Sequence, residues 1–114
     1  MEAILRVTVL DAGGTAHNVE GVIDTGFNRF LTLPPAMIAM LGLTWLNIEQ
    51  AQLADGSVHL FDVYAVTLIW DGLPRMVEVE SVEAQPLIGM SLMEGHELKI
   101  HITPSGVVTI VAVP

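Results

Sequence analysis

The chain has 114 residues, 52% of them apolar, which is enough for a single domain (1–114) with a sizeable hydrophobic core. It contains no cysteine, which excludes disulfide bonds, thiolate nucleophiles and thiolate metal ligands. The formal net charge of −9 would repel a phosphate backbone, so we expect no nucleic-acid partner.

The sequence shows no targeting or membrane-spanning segment. The first residues, Met1 to Arg6, lack the basic segment and long apolar stretch of a secretory signal. The longest strongly apolar tract, 36–46, is too short for a bilayer, which needs about 20 residues. We therefore expect a soluble, cytoplasmic protein without a membrane partner.

Most of the chain has the pattern of β-strands joined by tight turns rich in glycine, proline and aspartate. A helix is favoured from Pro35 to Leu41, because proline suits a first helical turn and Gly42 suits the residue after the end. Ser91 is expected to cap a one-turn helix that extends to Glu94. The predicted strands are 5–10, 17–23, 27–33, 48–53, 58–70, 75–82 and 86–89, followed by a last hairpin with arms at 97–103 and 107–113.

The segment with the clearest chemical meaning is Val22-Ile23-Asp24-Thr25-Gly26. Two β-branched residues lead a carboxylate out of a buried strand and into a turn. The hydroxyl of Thr25 can form a local hydrogen bond, and Gly26 allows another backbone to approach closely. Taken alone, the tripeptide fits a simple turn between strands equally well.

The order of elements around this motif is more specific. Asp24 follows a first hairpin, Asp55 and Gly56 lie at the tip of a second, and an apolar-apolar-Gly segment at 87–89 precedes a short helix. Over nearly the whole chain this order resembles the retropepsin-like aspartic proteases, in particular their small bacterial members. The resemblance implies an all-β domain, a closed barrel with one or two short helices, which pairs with an identical chain.

The same resemblance implies an aspartic endopeptidase that hydrolyses peptides or unfolded proteins and uses no cofactor or metal ion. Such an enzyme needs two carboxylates, one as general base and one as general acid. The chain has one such motif, so a working site requires a homodimer. The implied roles are catalysis for Asp24, support of the active-site loop for Thr25 and Gly26, a flap over the substrate for Ala54, Asp55 and Gly56, and support from below for Leu87, Ile88 and Gly89.

Phe27 departs from the family pattern, in which a small residue commonly follows the motif. Its ring either fills the groove beside Asp24 and restricts substrates, or points into the core. Arg29 either balances an acidic neighbour, contacts substrate or is simply solvated. The acidic residues Glu78, Glu80 and Glu83 are expected on a solvated strand face.

Other interpretations remain open. The chain could be a catalytically weak or inactive binding or assembly module with a protease fold. It could also be a monomeric β-domain in which Asp24-Thr25-Gly26 is only a turn. A zinc site among the four scattered histidines is conceivable, although exposed histidines are the commoner case. The apolar segment 107–113 could build a dimer sheet or stay within its own chain.

Overall fold

The computed structural model describes residues 2–52, 55–101 and 107–113. Over these ranges the protein is mostly β-structure with two short helices, which confirms the all-β class. Ala54 and the predicted turn at 104–106 lie outside the described residues. The elements are β1 (Ile4–Leu10), β2 (Ala16–Ile23), β3 (Leu31–Leu33), α1 (Pro35–Leu41), β4 (Thr44–Gln52), β5 (Val58–Trp70), β6 (Leu73–Ser81), β7 (Leu87–Ile88), α2 (Met90–Met93), β8 (His96–His101) and β9 (Val107–Ala112).

Seven strands form one sheet in the order β1-β2-β7-β3-β6-β5-β4. The pairs β2–β7 and β3–β6 are parallel, and the other neighbours are antiparallel. β1 also pairs with β5, through Thr8–Leu10 and residues 67–69. Six strands, β1, β2, β7, β3, β6 and β5, are therefore paired in a closed ring. β4 lies outside this ring and pairs with β5.

The hydrophobic core lies on the inner face of this ring of strands. Alternation along β5 and β6 places Val66, Leu68, Val77 and Val79 inside, as expected when one face of a strand is buried. Helices α1 and α2 each add two buried apolar side chains. The members of the core are Val7, Val9, Val19, Ile23, Leu31, Leu33, Ile38, Leu41, Val66, Leu68, Trp70, Val77, Val79, Ile88, Leu92 and Met93.

The β8–β9 hairpin forms a separate two-stranded sheet. Its side chains at Leu98, Val108 and Ile110 pack against the core. Val111 is 47% exposed on the opposite face, opposite Glu97 in the register. In this chain the segment 107–112 is thus paired within its own chain along one edge.

The predicted helix from Pro35 to Leu41 is confirmed at both ends. Gly42 follows it in the left-handed region, with φ of 66°, and its N–H donates to the carbonyls of Ile38 and Ala39. A β-carbon is disfavoured in this conformation, so glycine is the natural residue for this helix end.

Several predicted boundaries are wrong. The strand predicted at 27–33 is only Leu31–Leu33, because the residues before it bond to the 88–91 segment instead. β4 begins at Thr44, four residues before the prediction. The turn before β6 is also shorter than predicted, since Asp71 and Gly72 both have positive φ (52° and 80°) and close a two-residue hairpin.

The predicted cap at Ser91 is wrong as well. Helix α2 begins at Met90, so Ser91 lies inside it and Gly89 occupies the N-cap position. The Ser91 hydroxyl donates instead to the carbonyl of Asn28, and so joins α2 to the loop that follows Asp24. No helix in the described part of the chain is long and apolar enough to cross a membrane.

Candidate active site

Asp24 lies immediately after the last residue of β2, where the strand is held from both sides. The N–H of Ile23 donates to the carbonyl of Ala3 at 2.8 Å, and the N–H of Asp24 donates to the carbonyl of Ile88 at 3.0 Å. The parallel pairing of Ile23 with Ile88 continues directly into this second bond. The backbone position of the carboxylate is therefore set by β7.

The Asp24 side chain is fixed by a tight local turn. The N–H of Gly26 donates to Asp24 Oδ1 at 2.9 Å, and the N–H of Phe27 donates to the carbonyl of Asp24 at 3.1 Å. This is the side-chain turn that aspartate commonly forms. The second carboxylate oxygen has no hydrogen-bond partner among the residues described, while Thr25 and Gly26 are exposed. One oxygen is thus oriented and the other is available.

The loop of residues 27–30, called here the 27–30 loop, is bonded to the start of α2. The N–H of Gly89 donates to the carbonyl of Phe30 at 2.9 Å, that of Met90 to Phe27 at 2.8 Å, and that of Ser91 to Arg29 at 3.2 Å. These bonds occupy the donors that a helix start leaves free. The first turn of α2 therefore holds the loop that directly follows the Asp24 turn.

Glycine is required at position 89 because a side chain would not fit there, and not because of the backbone conformation. A β-carbon on Gly89 would lie 2.0 Å from the carbonyl oxygen of Arg29 and 2.7 Å from Cδ2 of Phe27. The Phe27 ring therefore lies over Gly89. It is half-buried there and does not belong to the core cluster.

Leu87, Ile88 and Gly89 were predicted to support the active-site loop. The structure brings this segment together with the motif Asp24-Thr25-Gly26. Ile88 is fully buried. The N–H of Leu87 donates to the hydroxyl of Thr32 at 3.0 Å, and Thr32 is only 4% exposed. No sequence pattern indicated this role for Thr32, because a threonine between two leucines is ordinary in a strand.

The predicted flap tip is described at Asp55 and Gly56. Hydrogen bonds from the hydroxyl and N–H of Ser57 to the Asp55 carboxylate lower the pKa of Asp55. Gly56 has φ of +86° with open space around it, as a turn at a hairpin tip requires. Within the described ranges no hydrogen bond or ion pair joins this tip to Asp24.

Arg29 connects the 27–30 loop to two strands. Its guanidinium lies 2.7 Å from the carboxylate of Glu49 on β4 and 3.5 Å from that of Glu80 on β6. The Glu80 side chain is only 15% exposed, so the prediction that it is solvated is wrong. Its burial raises the pKa of Glu80, which the nearby Arg29 charge partly offsets.

The described histidines lie apart from one another. His17 is 2.8 Å from Asp11, His59 stacks on Phe61, and His96 contacts Trp70 edge-on. In residues 2–52, 55–101 and 107–113, no group of three or more potential ligands could hold a metal ion.

Two cavities lie away from Asp24. One of about 370 Å³ lies between the β1–β2 turn, the end of α1 and β5, and is lined by Asp11, Leu43 and Thr67 among others. The other, of about 300 Å³, lies between α2 and the start of β8. Neither of these two cavities is lined by Asp24, Thr25 or Gly26.

Comparison of the chain with models of known protein families, with curated proteins and with solved structures found no match.

Proposed function

We propose that this chain is one half of an aspartic endopeptidase and that Asp24 is its catalytic carboxylate. The observation that supports this best is the seat of the Asp24 loop on Ile88, Gly89 and the first turn of α2. A simple turn between strands needs no such support from a distant segment. Fixed orientation of a reactive group is what catalysis by positioning requires.

The fold fits the same proposal. The six-strand circuit of pairings, with β4–β5 as a long hairpin beside it, is compatible with the retropepsin-like closed barrel that the sequence resembles. In that arrangement the β4–β5 hairpin is the flap. Its described tip residues, Asp55 and Gly56, lie over the substrate.

The chemistry requires two copies of Asp24. Two carboxylates held about 3 Å apart cannot both ionise, so at working pH one is charged and the other protonated. The charged one takes a proton from water, which attacks the peptide carbonyl, and the protonated one donates to the carbonyl oxygen. A homodimer with a two-fold axis near Asp24 supplies this pair.

The exposure of the motif suits such a dimer. Thr25 and Gly26 are exposed beside a half-buried Asp24. In the dimer Thr25 bonds across the axis to its counterpart, and Gly26 allows substrate backbone to lie close. The binding groove is then formed between the two chains, which is why a single chain needs no enclosed pocket at Asp24.

The direct test is Asp24→Asn against Asp71→Asn. Both replace a carboxylate with an amide of the same shape, and Asp71 lies in a remote, exposed turn with φ of 52°, which asparagine tolerates. Cleavage of fluorescently labelled, heat-denatured casein is measured from pH 3 to 7. Asp24→Asn is expected to lose at least about 10²-fold in rate, and Asp71→Asn to match the parent. Equal cleavage by the Asp24 variant contradicts the proposal.

A mixing experiment tests the requirement for two chains. Increasing amounts of Asp24→Asn protein are added to a fixed amount of parent protein after dissociation and reassociation. Mixed dimers contain one carboxylate, so the cleavage rate should fall as the variant is added in excess. An unchanged rate means that one chain suffices. Dimers that cleave nothing across the pH range would favour the inactive binding or assembly module.

A further inference from the structure

The β4–β5 hairpin extends beyond the rest of the sheet. β5 pairs with β6 only from Val63 onward and with β1 only at residues 67–69. Residues 48–52 and 58–62 therefore pair only with each other within the described sheet. We call these residues the free arm. Two-stranded hairpins are marginally stable in water on their own, so a contact that anchors the free arm changes its position and its mobility.

Glu49 lies in the free arm, and its ion pair with Arg29 reaches an element with which β4 has no backbone pairing. Arg29 lies in the 27–30 loop, and the strand after that loop, β3, pairs with β6 and β7. The contact of 2.7 Å thus joins the free arm directly to the 27–30 loop, which follows the Asp24 turn.

The Arg29 backbone is firmly anchored, while its side chain is 51% exposed. The Arg29 carbonyl accepts from Ser91 and lies where a β-carbon on Gly89 would be 2.0 Å away. The other end is partly shielded from water, since the Glu49 side chain is 24% exposed. By contrast, Arg6 and Glu20 form an ion pair at 3.0 Å with side chains 65% and 61% exposed, on strands already paired in register. That surface pair has no free element to hold.

We propose that Arg29 is a positioning residue that ties the free arm to the Asp24 loop, so that the flap hairpin and the catalytic carboxylate keep a fixed relation. This role rests on the proposed function for its meaning in catalysis. The tie itself is a property of the chain and is measurable without activity. Glu80 is the second carboxylate at Arg29, at 3.5 Å, and it lies on the main sheet, so it does not hold the arm.

The experiment measures amide hydrogen exchange of the full-length protein in four forms: the parent, Arg29→Met, Glu49→Gln and the double variant. Arg6→Met is the matched control, because it removes the same charge from an exposed ion pair. Exchange in residues 48–52 and 58–62 is expected to be about two- to fivefold faster in both single variants, which corresponds to loss of one partly exposed ion pair. Exchange in β1 and β2 should stay as in the parent.

The double variant distinguishes a tie from two separate effects. If Arg29 and Glu49 act on each other, the double variant exchanges no faster than the single ones. Multiplied effects in the double variant, or an Arg6→Met change as large as that of Arg29→Met, overturn the proposal. So does unchanged exchange of the free arm in Arg29→Met.

Catalysis supplies the second readout. With labelled casein, Arg29→Met should raise KM several-fold and lower kcat less, because a loose arm reduces the population ready to bind. Faster exchange with an unchanged KM would overturn the role in substrate binding and leave the tie as purely structural. If neither the parent nor any variant cleaves casein, the proposed function fails, and the exchange data still decide whether Arg29 holds the arm.

Discussion

Replacing Gly89 with alanine tests whether the 27–30 loop packs as closely against Gly89 as the structure shows. The new β-carbon would meet the backbone of Arg29, with 2.0 Å to its carbonyl oxygen and 2.7 Å to its carbonyl carbon. That oxygen must move about 1 Å away merely to reach 3.0 Å, below which real contacts of this kind are essentially absent. The neighbour is backbone, so no rotamer change can relieve the contact.

The expected cost has two parts. Inserting a group into a well-packed site typically costs about 1–3 kcal/mol. Moving the 27–30 loop also weakens the bonds from Gly89, Met90 and Ser91, each worth about 0.5–1.5 kcal/mol. Replacing glycine also lowers the conformational entropy of the unfolded chain, which raises the free energy of unfolding by about 0.4–1 kcal/mol. We therefore expect a net loss of about 2–4 kcal/mol, a large part of the stability of an ordinary domain.

The assay is urea unfolding followed by tryptophan fluorescence, since Trp70 is buried and reports on the core. Protein concentration is held fixed, because association makes the midpoint depend on it. Gly13→Ala is the control: its β-carbon would meet only Asp11 Oδ1, at 3.4 Å, so it should stay within about 1 kcal/mol of the parent. Free energies of unfolding for the two variants that agree within about 0.5 kcal/mol would refute the close approach at Gly89.

Two further predictions concern Thr32 and Glu80. Thr32→Val removes the acceptor for the Leu87 N–H and should lower the free energy of unfolding by about 1–3 kcal/mol. Thr109→Val, at an exposed strand position, is the control and should change it little. Equal effects of the two substitutions on urea unfolding would contradict this prediction. For Glu80, the raised pKa means that the folded state favours the protonated form, so its stabilising contribution is present below the unfolded value of 4.5 and is lost as pH rises through the folded value. Glu80→Gln should therefore gain stability relative to the parent as pH rises from about 4 to 7. The gain should be less than about 1 kcal/mol, because the Arg29 charge offsets part of the effect of burial. A stability difference that is constant with pH would show that burial does not govern the pKa of this carboxyl.

Local pattern was sufficient for most elements of the fold. The helix from Pro35 to Leu41 was predicted at both ends, because proline and glycine act on their own backbone whatever surrounds them. The strand at 58–70 was also predicted at both ends. Errors occurred where a distant segment competes for the backbone, as in the loss of strand pairing at residues 27–30.

The candidate site divides in the same way. Its members Asp24, Thr25 and Gly26 were visible as a motif, and Gly89 was visible as the end of an apolar segment. The partners of Arg29 were not, because Glu49 and Glu80 lie 20 and 51 residues away and meet it only through the order of strands. Thr32 gave no signal, since its role depends on the N–H of Leu87, which lies far away in the chain on the neighbouring strand β7.

By itself, the sequence determined that the chain is a cysteine-free, acidic, all-β domain with one aspartate motif. Those features follow from composition and from the preferences of each residue for its own backbone. The resemblance implied support of the Asp24 loop by Leu87, Ile88 and Gly89, and the structure supplied the bonds that join them. The tertiary structure alone decided that Arg29 reaches the free arm. Contacts of this kind join residues far apart in the chain. The parallel pairing of β2 with β7 brings Asp24 to Ile88, and the order of strands in the sheet brings Glu49 to Arg29.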